Sequence, residues 1–122
     1  MLSVPGRVKV FLCLAPTDMR KSIDGLSGLA NSVLKQDPLS GHLFVFVGKR
    51  RDRLKLLYWE DDGYALWYKR LERGSFRVPA PAADQTSITL SAAELAMLLD
   101  GVDLASVRRT KRYRRSEASV PA

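Results

Sequence analysis

Apolar and polar residues in the first third of the chain follow first a strand pattern and then a helix pattern. Apolar side chains recur at alternate positions over residues 8–14, the period of a strand with one buried face. Asp18 is a suitable N-cap for a helix over about residues 19–36, where apolar residues recur at helical spacing. Gly25 and Gly28 lie inside this helix, and they indicate either a close approach to a sheet or a hinge.

The middle of the chain has the pattern of an antiparallel meander. Residues 42–47, 53–59 and 64–71 are strand-like, and the last two runs are joined by a tight turn containing the hairpin signal Asp62-Gly63. Both faces of this meander carry bulky apolar groups, which predicts that both faces are at least partly covered. Residues 78–87 are rich in Pro and Ala and are interpreted as a connector.

A short helix is predicted near the C-terminus. Ser91 and Glu94 have the spacing of a capping box, Leu90 and Leu95 that of a hydrophobic staple, and Gly101 is a natural stop. Together the patterns predict an α+β fold: an antiparallel sheet of about four strands, one long helix packed on it, and a short C-terminal helix.

Charge divides the 122-residue chain into two parts. Residues 1–104 contain 14 basic and 12 acidic side chains, whereas residues 105–122 contain six basic and one acidic, together giving the net charge of +7. We therefore expect a single domain over residues 1–104 and a basic, disordered tail over 105–122. The expected partner of the tail is a polyanion such as nucleic acid.

The sequence lacks the residue patterns that most kinds of enzyme active site require. One cysteine, Cys13, and one histidine, His42, cannot form a zinc site of the usual kind, and no phosphate-binding glycine loop occurs. A two-metal site would need converging carboxylates, but each candidate has a simpler role as a cap, turn or surface residue; the candidates are Asp18, Asp24, Asp52, Glu60, Asp61 and Asp62. We expect a non-enzyme without cofactor or small-molecule substrate. No apolar run reaches the length of a membrane span, and the cytoplasm is the default compartment.

Basic residues flank the predicted hairpin and fill the tail. Antiparallel pairing would bring the two flanking groups together as one basic patch for nucleic acid. The alternative, of equal weight, is that these residues only solubilise the domain. The predicted nucleic-acid-binding residues are Lys49, Arg50, Arg51, Arg53, Lys55, Lys69, Arg70, Arg73 and Arg77 of the hairpin, and Arg108, Arg109, Lys111, Arg112, Arg114 and Arg115 of the tail.

Four aromatic residues of the same hairpin are candidates for contact with a partner: Trp59, Tyr64, Trp67 and Tyr68. They could stack on bases or on a protein surface. Aromatic residues at such spacing are more often part of the core, and that interpretation is favoured for the two Trp residues.

Three separated motifs resemble one known family. PTDMRKSIDGL (residues 16–26), DPLSGHLFVF (37–46) and RRDRLKLLYWEDDGYALWYKRLERGSF (50–76) are similar to the TnpB accessory proteins of bacterial insertion-sequence family sixty-six. The resemblance covers about residues 8–104 in the same order. Val78 departs from the Trp of the family pattern, and the tail lies outside it. RNA-guided nucleases that share the name TnpB are a different group.

The resemblance implies a non-catalytic helper encoded beside a transposase, which itself cuts and joins DNA. The expected partners are that transposase and the DNA at the element ends. We expect the protein to assist transposase assembly through DNA contact; the alternative is a protein–protein adaptor that docks on the transposase without touching DNA.

Overall fold

Five strands form one mixed sheet in the computed structural model, which describes residues 4–101. In chain order they are β1 (Val10–Cys13), β2 (Leu43–Val47), β3 (Arg53–Glu60), β4 (Gly63–Arg70) and β5 (Ser87–Leu90), with helix α1 (Ile23–Ser32) after β1 and helix α2 (Ala92–Leu99) after β5. The order across the sheet is β4-β3-β2-β1-β5. The predicted α+β class is confirmed.

The prediction of a wholly antiparallel sheet of about four strands is wrong. β1 and β2 are parallel because α1 crosses over between them, whereas the β2–β3, β3–β4 and β1–β5 pairs are antiparallel. The sequence pattern did not predict the fifth strand, β5, because its four residues begin at the last residue of the Pro/Ala-rich segment. Its backbone nevertheless pairs with all four residues of β1, which completes that edge of the sheet.

The first helix is shorter than the predicted span of residues 19–36. Ser22 is its N-cap, and Asp18 is not. One oxygen of the Asp18 carboxylate accepts the backbone N–H of Arg20 at 2.9 Å, an arrangement that forms a turn ahead of the helix. The helix ends at Ser32, and Lys35 beyond it has a φ of 55°, a left-handed conformation that ends helices.

Apolar side chains cover both faces of the sheet, as the meander pattern predicted. On one face Leu26 and Ala30 of α1 pack on Phe44, Phe46 and Leu57. The other face is covered by α2, whose Leu95 and Leu98 belong to a cluster with Val10, Leu12, Val45, Leu54 and Leu56. Because side chains alternate along β3, neighbouring residues lie on opposite faces of the sheet. This alternation also determines the face on which each charged residue of β3 lies.

Local predictions for the second helix are confirmed. The Ser91 hydroxyl accepts the Glu94 N–H at 3.0 Å while the Glu94 carboxylate accepts the Ser91 N–H at 2.9 Å, a complete capping box. Leu90 and Leu95 are buried in one cluster, and Gly101 has a φ of 84° just after the helix. No helix within residues 4–101 is long and apolar enough to cross a membrane.

Candidate nucleic-acid interface

The two basic stretches flanking the hairpin meet at one end of the sheet. Arg53, the first residue of β3, lies opposite Arg70, the last residue of β4. Beyond the strands, the carbonyl oxygen of Asp52 accepts the N–H of Leu71 at 2.7 Å, and that of Arg51 accepts the N–H of Phe76 at 2.6 Å. Backbone hydrogen bonds therefore fasten the segment after β4 to the loop between β2 and β3.

A tight loop holds the first basic stretch in place. The N–H of Arg51 donates to the carbonyl of Gly48 at 2.9 Å, and Arg51 takes a φ of 64°. Gly48 also forms a parallel bridge with Thr17, which brings the segment before α1 alongside the loop. A Cβ on Gly48 would lie only 2.7 Å from Cγ of Met19, so this close approach requires either glycine or a shift of the Met19 side chain.

Between these two segments lies a cleft of about 580 Å³, here called the α1-side cleft. Its charged lining consists of four cations and two carboxylates: Arg20, Lys49, Arg50 and Arg53, with Asp18 and Asp52. The lining therefore has a formal charge of +2, which favours an anion.

Arg53 is the residue of this cleft whose polar groups are least satisfied. Its Nε is buried and has no hydrogen-bond partner within residues 4–101. It also faces Arg70 directly across the sheet, and like charges in that position are destabilising. Arg70 is already paired with the Glu72 carboxylate. A bound anion would supply an acceptor for the buried donor of Arg53.

One of the four cations of the cleft, Arg20, is paired with Asp18. Its carboxylate forms an ion pair with Arg20, whose NH2 nitrogen lies 2.8 Å from Oδ2. The hydrogen bonds from the Arg20 side chain and backbone hold the pKa of this carboxyl well below its usual range. Asp18 is therefore ionised at neutral pH, and the pair takes up the Nε and Nη2 donors of Arg20.

Three more of the predicted basic residues open onto a second cleft of about 510 Å³, here called the α2-side cleft. It is lined by Lys69, Arg73 and Arg77 together with Asp100, just past the end of α2. Arg51 and Arg70 are not among the described residues that line either cleft. Arg53 pairs with Arg70, and Lys69 is the neighbour of Arg70 on β4. Because side chains alternate between faces along a strand, Lys69 lies on the opposite face of the sheet from Arg53. The predicted single basic patch is thus two clefts at one end of the sheet, one beside each helix.

Lys55 does not belong to the exposed basic surface, and its assignment to nucleic-acid contact is corrected. Only 9% of the residue is exposed. Its ammonium nitrogen donates to the carbonyl oxygens of Met19 at 2.9 Å and Lys21 at 2.8 Å, and it lies 5.1 Å from the ring centroid of Tyr68. Its charge is committed to holding the segment before α1.

The four candidate aromatic residues do not form one surface. Trp59 and Tyr64 contact each other edge to face, with ring centroids 5.2 Å apart. Tyr68 lies on the same face of the sheet and is 49% exposed. Trp67 is partly buried against the core on the α2 face.

Arg70 forms an ion pair with Glu72, with 2.9 Å between Nε and the carboxylate, and both side chains are exposed. The predicted tail of residues 105–122, including Arg108, Arg109, Lys111, Arg112, Arg114 and Arg115, lies outside the described residues.

The sequence interpretation missed Arg20 as a member of the basic site. Arg20 stands 30 residues from Arg50 in the chain, and the two share a cleft only because β1 and β2 are parallel. A strand, a helix and a second strand in succession are the usual signature of such a parallel pair. That signature was present, but the hairpin signals that follow it favoured an antiparallel interpretation.

Comparison with known proteins places most of the chain in one family. A model of the family described as IS66 Orf2 like protein matches residues 8–109. The chain is 38% identical over 106 residues to the uncharacterized protein y4jC of Sinorhizobium fredii (strain NBRC 101917 / NGR234), covering 86% of this chain and 89% of the relative. It is 39% identical over 103 residues to y4hO of the same organism, covering 84% and 88%. No solved structure gives a significant match.

Proposed function

Because this chain belongs to the family of IS66 Orf2-like proteins, which are transposition-associated accessory proteins and not known enzymes, we propose that it assists transposase assembly by binding DNA phosphates. The basic end of the sheet is the contacting surface. Phosphate contacts position a protein on DNA without specifying its sequence, which suits a helper whose partner carries out the chemistry.

The observation that carries this proposal is the pairing of Arg53 with Arg70 beside an open cleft. Among residues 4–101, the buried Nε of Arg53 finds no acceptor, and Lys49 and Arg50 line the same cleft from an adjacent loop. A residue that served only solubility would extend into solvent, where water satisfies its donors. A phosphate oxygen at the α1-side cleft would instead satisfy Arg53 and be shared with its neighbours.

Salt-dependent binding to DNA tests the proposal. The double variant Arg50→Gln/Arg53→Gln is compared with wild type on element-end DNA and on unrelated DNA over a series of salt concentrations. If two phosphate contacts are lost, the slope of log affinity against log salt should become less negative by about 1.8, and low-salt affinity should fall on both DNAs.

A matched control removes the same number of charges elsewhere. Arg7 and Lys9 are exposed and precede β1, at the opposite end of the sheet. Arg7→Gln/Lys9→Gln should leave the salt slope nearly unchanged. Equal slopes for wild type and the Arg50/Arg53 variant, with all proteins folded by circular dichroism, would rule out DNA contact at this cleft.

The second candidate function is that of a protein–protein adaptor that docks on the transposase without DNA. Tyr68 supports it, since an aromatic ring that is 49% exposed on a strand is available to a partner. Co-purification with the transposase after nuclease treatment, retained by Arg50→Gln/Arg53→Gln and lost by a folded Tyr68→Ala variant, would favour this function over DNA contact.

A further inference from the structure

The end of the sheet opposite the basic clefts carries a third cleft with a different chemistry. It has a volume of about 480 Å³, and its lining residues include Tyr58 and Trp67 on the α2 face. Trp59, whose ring contacts Tyr64 on the α1 face, and the acidic residues Glu60 and Asp61 complete this end of the lining. Here it is called the aromatic–acidic cleft. It forms where β3 ends and β4 begins, about eight residues of strand away from Arg53.

The lining of this cleft has a negative formal charge, which comes from Glu60 and Asp61. Within residues 4–101, no Lys or Arg lines the cleft, although the exposed residues Arg7 and Lys9 flank its lining residue Val8. Two ion pairs occur within residues 4–101, Asp18–Arg20 and Arg70–Glu72, and neither involves Glu60 or Asp61. Asp62, in the same exposed turn, adds a third carboxylate nearby. These carboxylates attract a cationic group to this side of the cleft.

We propose that the aromatic–acidic cleft binds an arginine-bearing segment of a protein partner. A guanidinium group is the side chain that suits both parts of the lining, because it stacks on indole and phenol rings and hydrogen-bonds carboxylates in a bidentate manner. The volume is in the range of sites that enclose a small ligand or a few residues of peptide. Charge complementarity therefore defines the occupant.

This site is independent of the proposed DNA contact. The basic clefts and the aromatic–acidic cleft lie at opposite ends of β3 and share no residue. A protein with both sites would hold DNA at one end and a cationic partner segment at the other. Loss of one site should therefore leave the other intact.

Nuclear magnetic resonance on the full chain tests the inference directly. The sequence contains only two Trp residues, so the indole N–H region has two side-chain signals, from Trp59 and Trp67. The probe is the peptide acetyl-Gly-Arg-Gly-amide, compared with the same peptide in which citrulline replaces arginine. We expect a saturable shift of at least one indole signal with the arginine peptide and none with the uncharged citrulline peptide.

Isosteric variants assign the response to the cleft. Glu60→Gln/Asp61→Asn removes two charges, and Asn tolerates the φ of 52° at position 61, so the turn should be preserved. The matched control Asp24→Asn/Asp84→Asn removes two exposed charges elsewhere, and Asp84 has a comparable φ of 63°. The shift should disappear in the first variant and persist in the second.

Three results would overturn the inference. The first is an equal response to the citrulline peptide, which would make the site simply apolar. The second is an unchanged response in Glu60→Gln/Asp61→Asn. The third is a change of the indole signals, with no peptide added, when the six cations of residues 105–122 are replaced by Gln, which would make this chain's own C-terminal segment the occupant.

Discussion

The ammonium group of Lys55 donates a hydrogen bond of 2.9 Å to the carbonyl oxygen of Met19, 36 positions earlier in the chain. A second bond of 2.8 Å reaches the carbonyl of Lys21. These contacts fasten the segment that leads into α1 to β3. A charge that belongs to the basic hairpin in sequence thus acts as a structural anchor.

Replacing this anchor should destabilise the domain. Lys55→Met keeps a similar apolar stem but leaves the carbonyl oxygens of Met19 and Lys21 without their donor. We expect the free energy of unfolding to fall by about 1–3 kcal/mol. Urea denaturation measures it, and Lys49→Met, at an exposed position, should change stability by less than about 0.5 kcal/mol. Equal stabilities for the two variants would contradict the structural role of Lys55.

Removing the partner of Arg20 should strengthen DNA binding. Asp18→Asn keeps a side-chain oxygen for the turn but releases the guanidinium of Arg20 into the α1-side cleft. One additional phosphate contact would make the salt slope more negative by about 0.9. An unchanged or weaker affinity would show that the Asp18–Arg20 pair itself shapes the cleft.

The pH dependence of this effect has a definite sign. The pKa of Asp18 is lowered in the folded protein, so its ion pair is fully present at neutral pH and is lost only as pH falls through the lowered pKa. Wild type should therefore show no change in DNA affinity attributable to Asp18 in neutral or mildly acidic solution. A binding titration over that range, compared with Asp18→Asn, checks this.

Gly28 should be replaceable with a gain in stability. It is exposed inside α1, and a Cβ built there would meet no heavy atom within 4 Å. Gly28→Ala should raise the free energy of unfolding by about 0.5–1 kcal/mol, because alanine favours the helix and restricts the unfolded chain. Gly41→Ala is the contrasting control: Gly41 has a φ of 88°, where a side chain is strained, and stability should fall.

The Cys13 thiol should be nearly unreactive in the folded protein. The side chain is 4% exposed, and burial raises the pKa of the thiol, which outweighs the hydrogen bond to the Ala15 carbonyl. A raised pKa means less thiolate at pH 8, so reaction with a disulfide reagent should be many-fold slower than in denaturant. Rapid modification of the native protein would show that this part of β1 opens readily.

Not all of the glycine interpretation was correct. The sequence allowed Gly25 and Gly28 to bring α1 close to the sheet, yet a Cβ at Gly25 would meet only the side chain of Lys21, 3.1 Å away, and one at Gly28 would meet nothing. The close approach occurs instead at Gly48, beside Met19. A glycine in the sequence indicates that a close approach is possible at that position. The fold determines whether another segment approaches it, and which one.

Features that depend on residues close together in the chain were determined by the sequence itself. The capping box of Ser91 and Glu94, the alternation of faces along β3 and β4, and the pairing that brings Arg53 opposite Arg70 follow from spacing within a helix turn or a hairpin. The family motifs are equally local, and the family they indicate is confirmed. The match extends to residue 109, five residues beyond the expected end of the resemblance at about residue 104.

Features that depend on distant segments were decided only by the tertiary structure. The parallel pairing of β1 with β2 brings Arg20 beside Arg50 and divides the basic residues between two clefts. The position of Lys55 in the alternating pattern of β3 is typical of an exposed strand residue. In the fold its ammonium group instead donates to two carbonyl oxygens of the segment before α1 and is largely buried. The physical reason is that burial and hydrogen-bond partners depend on which segments meet across the sheet, and spacing along the chain does not specify those meetings.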